Sequence, residues 1–239
     1  RPRARRVTLG PSELGGCREY IRNVMVGTPG APADVWPGAA AVGTLVGEYV
    51  ERRAEEAFDA VTEQDVQTTI LIPPNVMDAG AQPEPFVVAG HADIVEVENN
   101  AVLDVKSKDG LEGVREEGPS LENAIQISTY TVGLVQAGIL EPGATATLLY
   151  IDRSGREQEA YALTFSWDEI QEYVAELGRR LRSVLDAQAA IDETGDMEAA
   201  HNLRDKPPSY CFSEKVMCPF REACWKSPHS EWAPTAPEM

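Results

Sequence analysis

Apolar residues recur every three or four positions in four segments of the chain, and alternate in part with polar residues in five others. The first spacing is typical of helices that bury one face, and the second is typical of half-buried strands. The pattern predicts helices over residues 12–26, 39–60, 121–137 and 167–190. It predicts strands over residues 66–72, 86–97, 101–106, 146–152 and 159–165. Asn99 and Asn100 supply the turn between the second and third strands, because asparagine tolerates positive φ.

The order of these elements predicts an α/β protein with a central mixed sheet flanked by helices. Of the 239 residues, 43% are hydrophobic, which suffices for one sizeable core but not for two ordinary domains with linkers. We therefore expect a single domain over residues 1–239, with its core at 39–190. The tail from residue 201 onward is rich in proline, cysteine and aromatic residues and has no periodicity, so something other than secondary structure must order it.

The charge of the chain is distributed unevenly. A formal net charge of −18 by itself argues against a nucleic-acid partner, since a polyanion repels an acidic protein. Residues 1–53, however, carry eight Arg against five Asp and Glu, and residues 201–239 carry as many basic as acidic groups. The whole acidic excess lies between them, where it suits bound divalent cations. If the two ends meet in space, they form the least acidic surface of the molecule.

The chain contains no run of eighteen apolar residues, and its first residues are not followed by the apolar stretch of a signal peptide. We therefore expect a cytoplasmic protein that does not contact a membrane.

Two carboxylates and one ammonium group fall on neighbouring strands. Asp93 lies on the second predicted strand, and Asp104 and Lys106 lie on the third, where their spacing of two puts them on one face. Leu103 and Val105 are expected to point the other way, into the core. Carboxylate oxygens hold Mg²⁺ or Mn²⁺, the metal polarises a phosphate and activates a water, and a cation stabilises the developing negative charge. By itself, Asp-x-Lys is more often an ordinary surface ion pair.

Gln126 and Tyr130 are four residues apart on the next predicted helix and therefore share a face. Together with Gly90-His91-Ala92-Asp93 and Asp104-Val105-Lys106, they resemble in order and spacing the RecB-like branch of the PD-(D/E)xK nuclease superfamily. The resemblance implies a restriction-endonuclease-like core. It also implies that Asp93, Asp104, Lys106, Gln126 and Tyr130 are catalytic and that Asp93 and Asp104 bind the metal.

The chain departs from this pattern at one position. The resemblance leads us to expect Gly-x3-His on the helix before the sheet, with the His as a further metal ligand, but Gly43 is followed at that spacing by Gly47. Glu48 or Glu51, one residue or one turn onward, can supply a carboxylate instead, and His91 is another candidate ligand.

The four cysteines are placed as one near the start, Cys17, and three near the end, Cys211, Cys218 and Cys224. In a cytosolic chain a metal or cluster site is favoured over disulfides, and four thiolates can hold either Zn²⁺ or an iron-sulfur cluster. The gaps of six and five residues are wider than zinc knuckles and favour the cluster.

The cysteine layout resembles the iron-sulfur nucleases of the same superfamily, namely the CRISPR-adaptation exonucleases, the AddB nuclease domain and a related mitochondrial exonuclease. The resemblance implies that the four cysteines bind a 4Fe-4S cluster, and that residues 8–26 and 201–229 together form a clasp around it. Structural Zn²⁺ is the alternative. The first gap in the tail is six residues where the resemblance leads us to expect two, which puts Cys211 in question.

Basic residues of the two ends are candidates for contact with the phosphate backbone of DNA, and aromatic residues of the tail are candidates for stacking on its bases or for covering the cluster. The basic candidates are Arg18, Arg22, Lys215, Arg221 and Lys226, and the aromatic ones are Phe212, Phe220 and Trp225.

Residues and resemblance together predict a Mg²⁺- or Mn²⁺-dependent deoxyribonuclease. The resemblance, which spans residues 12–224, implies an exonuclease that prefers single-stranded DNA and acts in recombination, repair or CRISPR-type adaptation. The alternative is a catalytically inactive, DNA-binding iron-sulfur module that acts with a recombination or CRISPR-adaptation partner. RNA remains open as a substrate.

Overall fold

The computed structural model describes residues 9–28, 37–58, 60–75, 80–154, 160–195, 198–203, 205, 218 and 220. The helices of this part are α1 (Pro11–Leu14), α2 (Arg18–Met25), α3 (Pro37–Phe58), α4 (Glu112–Glu117), α5 (Leu121–Gln136), α6 (Trp167–Thr194) and α7 (Glu198–His201). The strands are β1 (Val61–Ile72), β2 (Glu84–Glu96), β3 (Ala101–Lys108), β4 (Thr145–Asp152) and β5 (Tyr161–Phe165). No helix among these residues is long and apolar enough to cross a membrane.

The five strands form one mixed sheet in the order β1-β2-β3-β4-β5. The first three pair antiparallel as a meander, β3 pairs parallel with β4, and β4 pairs antiparallel with β5. A parallel pair needs a crossover, and α5 lies in the connection that supplies it. The predicted α/β class with a central mixed sheet is therefore confirmed.

Helix α5 lies against one face of the sheet and is buried along most of its length, since it packs on β1, β3 and β4 on one side and on α6 on the other. Ser120 caps its first turn by accepting a hydrogen bond from the N–H of Asn123, at 3.3 Å. Gly138 follows its end with a φ of +72°, a conformation that glycine adopts without strain. The caps fix where this helix starts and stops relative to the sheet.

Helix α3 contacts β1, β2 and β3. A Cβ atom on its Gly43 would lie 3.2 Å from the Oγ of Ser107 on β3, so helix and strand approach closely there. Successive side chains of a strand point to opposite faces of the sheet, so Ser107 lies on the face opposite to Val102 and Asp104. Val102 belongs to the buried cluster that packs around α5. Helices α3 and α5 therefore flank opposite faces of the sheet.

One predicted helix, 12–26, is divided in the structure. It forms α1 and α2, which are separated at Gly15 and Gly16. A side chain at Gly15 would overlap the backbone of Glu122 in the first turn of α5. This close approach of two backbones requires glycine, and the change of direction follows from it.

The N-terminal helices contact residues from the far end of the chain. The ring of Phe220 packs edge-to-face on Tyr20 of α2, with centroids 5.2 Å apart. Asp205 accepts hydrogen bonds from the backbone N–H of Arg18, at 2.9 Å, and from Arg180 of α6, at 2.8 Å. The two ends of the chain therefore meet.

Candidate metal centre at a fork between two strands

The β2–β3 ladder runs through only three residue pairs and ends with Ile94 opposite Leu103. Beyond it, β2 stays paired with β1 and β3 stays paired with β4, so the two strands form a fork. Asp93 and Asp104 are the next residue on each strand. The Asp93 carboxylate accepts a hydrogen bond, at 3.2 Å, from the backbone N–H of Val105. Asp93 thereby bridges the fork at the point where the ladder stops.

Asp104 has no exposed surface. Neither of its carboxylate oxygens accepts a hydrogen bond from the part of the chain that the structure describes. The Lys106 ammonium lies 2.6 Å from Oδ2, so the contact is an ion pair without the geometry of a regular hydrogen bond. The pKa of Asp104 is raised to about 7, first by burial and also by the Asp93 carboxylate, against the opposing effect of Lys106. A buried carboxylate so poorly satisfied is a strong attractor for a cation.

The expected orientation of β3 is wrong in one respect. Leu103 and Val105, predicted to face the core, are half-buried, whereas Val102 and Asp104 are buried on the face that α5 covers. The sequence of β3 predicts the opposite orientation because a carboxylate such as that of Asp104 normally points towards solvent. Here it lies under a helix, beside a lysine whose side chain is 22% exposed.

Gln126 and Tyr130 of α5 lie against this pair. The Gln126 side-chain amide donates to the Tyr130 hydroxyl, at 3.3 Å. Burial raises the pKa of Tyr130, the Gln126 hydrogen bond opposes the rise, and the charges of Asp104 and Asp93 add to it. The tyrosine ring passes beside Gly90 on β2, where a Cβ would lie 3.0 Å from its Cε1. The structure thus brings together all five residues predicted to be catalytic.

The candidates for a third ligand are placed differently. Glu48 is exposed, and His91 has 62% of its side chain exposed, with its Nδ1 2.8 Å from Asp65. Glu51 is half-buried, and its pKa is raised first by burial and then by the Asp93 carboxylate. Of the three candidates, Glu51 is the half-buried one, and the Asp93 charge acts on it.

The donor set suits a hard divalent cation. Two carboxylates face one point, one of them buried without a hydrogen bond, and such oxygens are the ligands that Mg²⁺ and Mn²⁺ prefer. As the side chains lie, no group of three or more His, Cys, Asp or Glu among the described residues is arranged to hold a metal ion. The fork therefore brings together two candidate ligands, Asp93 and Asp104.

Glu63 was not predicted to belong to the site. It lies on β1 between the pairs Thr62–Ile94 and Gln64–Ala92, which puts it opposite Asp93. Its φ of +49° is rare for a residue other than glycine, and such conformations cluster at functional sites. Its charge contributes to the raised pKa values of Glu51 and Tyr130. No sequence pattern could have indicated this backbone conformation.

Asn123 and Tyr150 were also missed. The Asn123 side chain donates to the Tyr150 hydroxyl, at 3.2 Å, and the Asp104 charge contributes to the raised pKa of that tyrosine, after burial. Asn123 precedes Gln126 by three residues, so the helical spacing that connected Gln126 and Tyr130 could have indicated it.

Of the four cysteines, Cys17 and Cys218 are described, and Cys211 and Cys224 lie outside the described residues. Cys17 is the N-cap residue of α2. Cys218 packs against the buried cluster formed by residues of α2 and α6. The pKa of Tyr20 is raised to about 12, first by burial, then by Glu13 and then by Cys218. Both cysteines therefore lie near α2, where the first and last described segments of the chain meet.

Two of the residues predicted to contact DNA are used within the protein. Arg22 is buried, with its guanidinium bonded to Glu19, Asn23 and Gln188, so its predicted role is wrong. Arg18 pairs with Asp205 at 3.0 Å and donates to Ser183. Phe220 is buried against Tyr20 and is not available for stacking. The other candidates lie outside the described residues, namely Lys215, Arg221, Lys226, Phe212 and Trp225.

No protein-family model matches the chain, and no curated protein matches it. Among solved structures, it is similar to the one described as the crystal structure of SSO0001, with a TM-score of 0.49 and 18% sequence identity. The alignment covers 77% of this chain and 78% of that chain.

Proposed function

We propose that the fork is the active site of a metal-dependent deoxyribonuclease. The observation that carries the proposal is the buried Asp104 carboxylate, which has an ammonium 2.6 Å away and a second carboxylate, Asp93, beside it. Most buried carboxylates accept several hydrogen bonds, and one that does not is a candidate for cation binding. The resemblance to RecB-like nucleases supports the same conclusion and favours a restriction-endonuclease-like core.

Asp93 and Asp104 hold the cation, Mg²⁺ or Mn²⁺. When bound, the cation polarises the phosphate and lowers the pKa of a water molecule. Lys106 stabilises negative charge that develops on the phosphate and orients the attacking water. Gln126 and Tyr130 present an amide and a hydroxyl that can donate to phosphate oxygens. Because Asp104 is covered by α5, the electrostatic interactions act in a medium of low dielectric constant.

The choice of DNA, of single strands and of exonucleolytic cleavage follows from the resemblance. So do the 4Fe-4S cluster at Cys17, Cys211, Cys218 and Cys224 and a partner in recombination or CRISPR-type adaptation. The packing of Cys218 near α2, the helix that Cys17 caps, supports a shared ligand site between the two ends. Zn²⁺ is the alternative occupant of the cysteine site.

A second candidate function is DNA binding without cleavage. It is favoured by Gly47, which stands where a metal-binding histidine is expected. It is also favoured because no group of three metal-binding side chains is found among the described residues. In that case the protein captures DNA for a recombination or CRISPR-adaptation partner.

An activity gel separates the two functions. Anaerobically purified protein is incubated with labelled single-stranded DNA, double-stranded DNA and RNA over a series of Mn²⁺ concentrations, and binding is measured in parallel by fluorescence anisotropy. Cleavage of single-stranded DNA supports the nuclease. Binding without cleavage at every Mn²⁺ concentration contradicts it and supports the binding module. Preferential cleavage of RNA retains the mechanism and corrects the substrate.

A further inference from the structure

Two glycines, Gly43 and Gly47, lie on the side of α3 that approaches the sheet. Gly43, Gly47 and Glu51 are four residues apart and therefore share one stripe of the helix. Gly43 approaches the Oγ of Ser107 on β3, which fixes the orientation of the stripe towards the sheet. Ala54, three residues after Glu51, is buried. The next residue at this spacing, Glu55, is exposed and accepts a hydrogen bond from Thr62, so Glu51 is the half-buried acid of the stripe.

The Glu51 carboxylate occupies space that Gly47 leaves open. Its Oε1 lies 3.5 Å from the position where a Cβ of residue 47 would be. A longer side chain at residue 47 would compete with the carboxylate for that volume. The glycine and the glutamate therefore fit one another, and the acidic group comes from one helical turn beyond the position of the missing ligand.

The surroundings of Glu51 contain acids without a compensating cation. Four carboxylates act on it, and these are Asp93, Glu63, Glu48 and Glu55. In the described part of the chain, no Lys, Arg or His forms an ion pair with Glu51, although Arg53 in the same helix pairs with Glu56 at 2.7 Å. A half-buried glutamate among acids is in an unfavourable position unless a cation joins them.

Resting on the proposed function, we propose that Glu51 is the third carboxylate ligand of the cation at Asp93 and Asp104, in place of the helix ligand absent at Gly47. Its side chain folds back over Gly47. A rotation about its side-chain bonds brings the carboxylate from there towards Asp93. Asp104 is the independent indication of a cation here, because it is fully buried and its ion pair with Lys106 is its one charge-neutralising contact among the described residues.

Glu63 competes for the same role, since it lies opposite Asp93 and contributes to the field at Glu51. Glu63 is exposed, whereas Glu51 is half-buried. A buried ligand loses less hydration on coordination and lies on a rigid helix, so the structure favours Glu51.

Mn²⁺ binding to the full chain tests the assignment by isothermal titration calorimetry, with no need for activity. The variants are Glu51→Gln, the matched control Glu48→Gln on the exposed side of the same helix, and Glu63→Gln. We expect Glu51→Gln to weaken Mn²⁺ binding by about tenfold or more and the two other variants to change it by about threefold or less. Adding Gly47→His to Glu51→Gln should recover binding, because it returns a ligand to the same stripe.

A second measurement guards against a folding defect. Glu51→Gln removes repulsion with Asp93, so the metal-free variant should melt at or above the temperature of the wild type. Its melting temperature should rise less with Mn²⁺ than that of the wild type, whereas that of Glu48→Gln should rise as much as the wild type's.

The outcomes separate this inference from the proposed function. If the wild type binds no Mn²⁺, the metal centre itself is wrong. If the wild type binds Mn²⁺ and Glu51→Gln binds it equally well, the nuclease proposal stands and the assignment of Glu51 is overturned. If only Glu63→Gln weakens binding, the third ligand is Glu63 and the assignment is likewise overturned.

Discussion

The Asp93 carboxylate accepts a hydrogen bond from the backbone N–H of Val105, at 3.2 Å, where the β2–β3 ladder ends. A strand pair that continued would satisfy this N–H with a backbone carbonyl. The Asp93 carboxylate takes the place of that carbonyl. It therefore holds β2 and β3 together where their ladder ends, and keeps Asp93 next to Asp104.

Asp104 makes the stability of the metal-free protein depend on pH. Its pKa is raised from 3.8 to about 7 by burial, against Lys106. Between these values the folded protein retains a proton that the unfolded chain has lost. The free energy of unfolding should therefore fall as pH rises through this window, by at most about 1.4 kcal/mol per pH unit. Asp104→Asn cannot ionise and should lose this dependence.

Urea unfolding without metal, at about pH 4.5 and about pH 7.5, measures the effect. Asp104→Asn should gain stability relative to the wild type on going to the higher pH. Mn²⁺ should stabilise the wild type more at the higher pH, because it competes with the proton. If the free energies of unfolding of variant and wild type differ by the same amount at both pH values, Asp104 does not titrate in this window.

Lys106 should be required for cleavage and dispensable for metal binding. Lys106→Met removes the cation next to Asp104 and should slow single-turnover cleavage by about a hundredfold or more. Lys108→Met, two residues further along β3, is the matched control, since the Lys108 ammonium lies 5.8 Å from the centre of the Tyr150 ring. At saturating DNA it should retain the wild-type rate within about threefold. Equal losses in the two variants would mean that only general positive charge matters.

Gly90 should be required for the position of Tyr130. In Gly90→Ala the new Cβ would lie 2.9 Å from Pro11 Cδ and 3.0 Å from Tyr130 Cε1, so one of them has to move. We expect a loss of about 1–3 kcal/mol in stability together with a loss of cleavage.

The control is Gly113→Ala, which places its Cβ in open space within α4 and should be neutral or slightly stabilising. Differential scanning calorimetry and a cleavage assay measure both properties. If Gly90→Ala keeps full activity, the position of the Tyr130 ring does not matter for the reaction.

Cys17 should be required for the iron of the purified protein. Anaerobically prepared wild type should be brown, with broad visible absorption, and Cys17→Ser should lose most of the iron. Metal analysis of both samples provides the measurement. Zinc in place of iron, in a colourless wild type, would replace the cluster with a structural zinc site, and equal iron in both samples would exclude Cys17 as a ligand.

The positions of the strands and of the central helix could be predicted because their patterns are local. The predicted helix at 121–137 and the strand at 101–106 differ from α5 and β3 by two residues or fewer at each end. Asn99 and Asn100 predicted the turn, and Asn100 has a φ of +51°. Alternation, turn residues and caps are properties of adjacent residues.

The features that could not be predicted depend on distant parts of the chain. Asp104 is buried because α5 covers it, which the β3 sequence does not indicate. Glu51, and not Glu48, is half-buried and lies at helical spacing from Gly43, which meets Ser107 on β3. Arg22 was expected to contact DNA, but Gln188, far along the chain on α6, accepts one of its hydrogen bonds.

The most direct test of the account is single-turnover cleavage of labelled single-stranded DNA by the wild type, Asp93→Asn and Asp104→Asn, with Mn²⁺ and after chelation. Circular dichroism confirms that each protein is folded. If the fork is a metal-dependent nuclease site, the wild type should cleave the DNA, and cleavage should stop on chelation without unfolding. Neither variant should cleave. Cleavage that survives chelation, or persists in either folded variant at the wild-type rate, would contradict this assignment of the site.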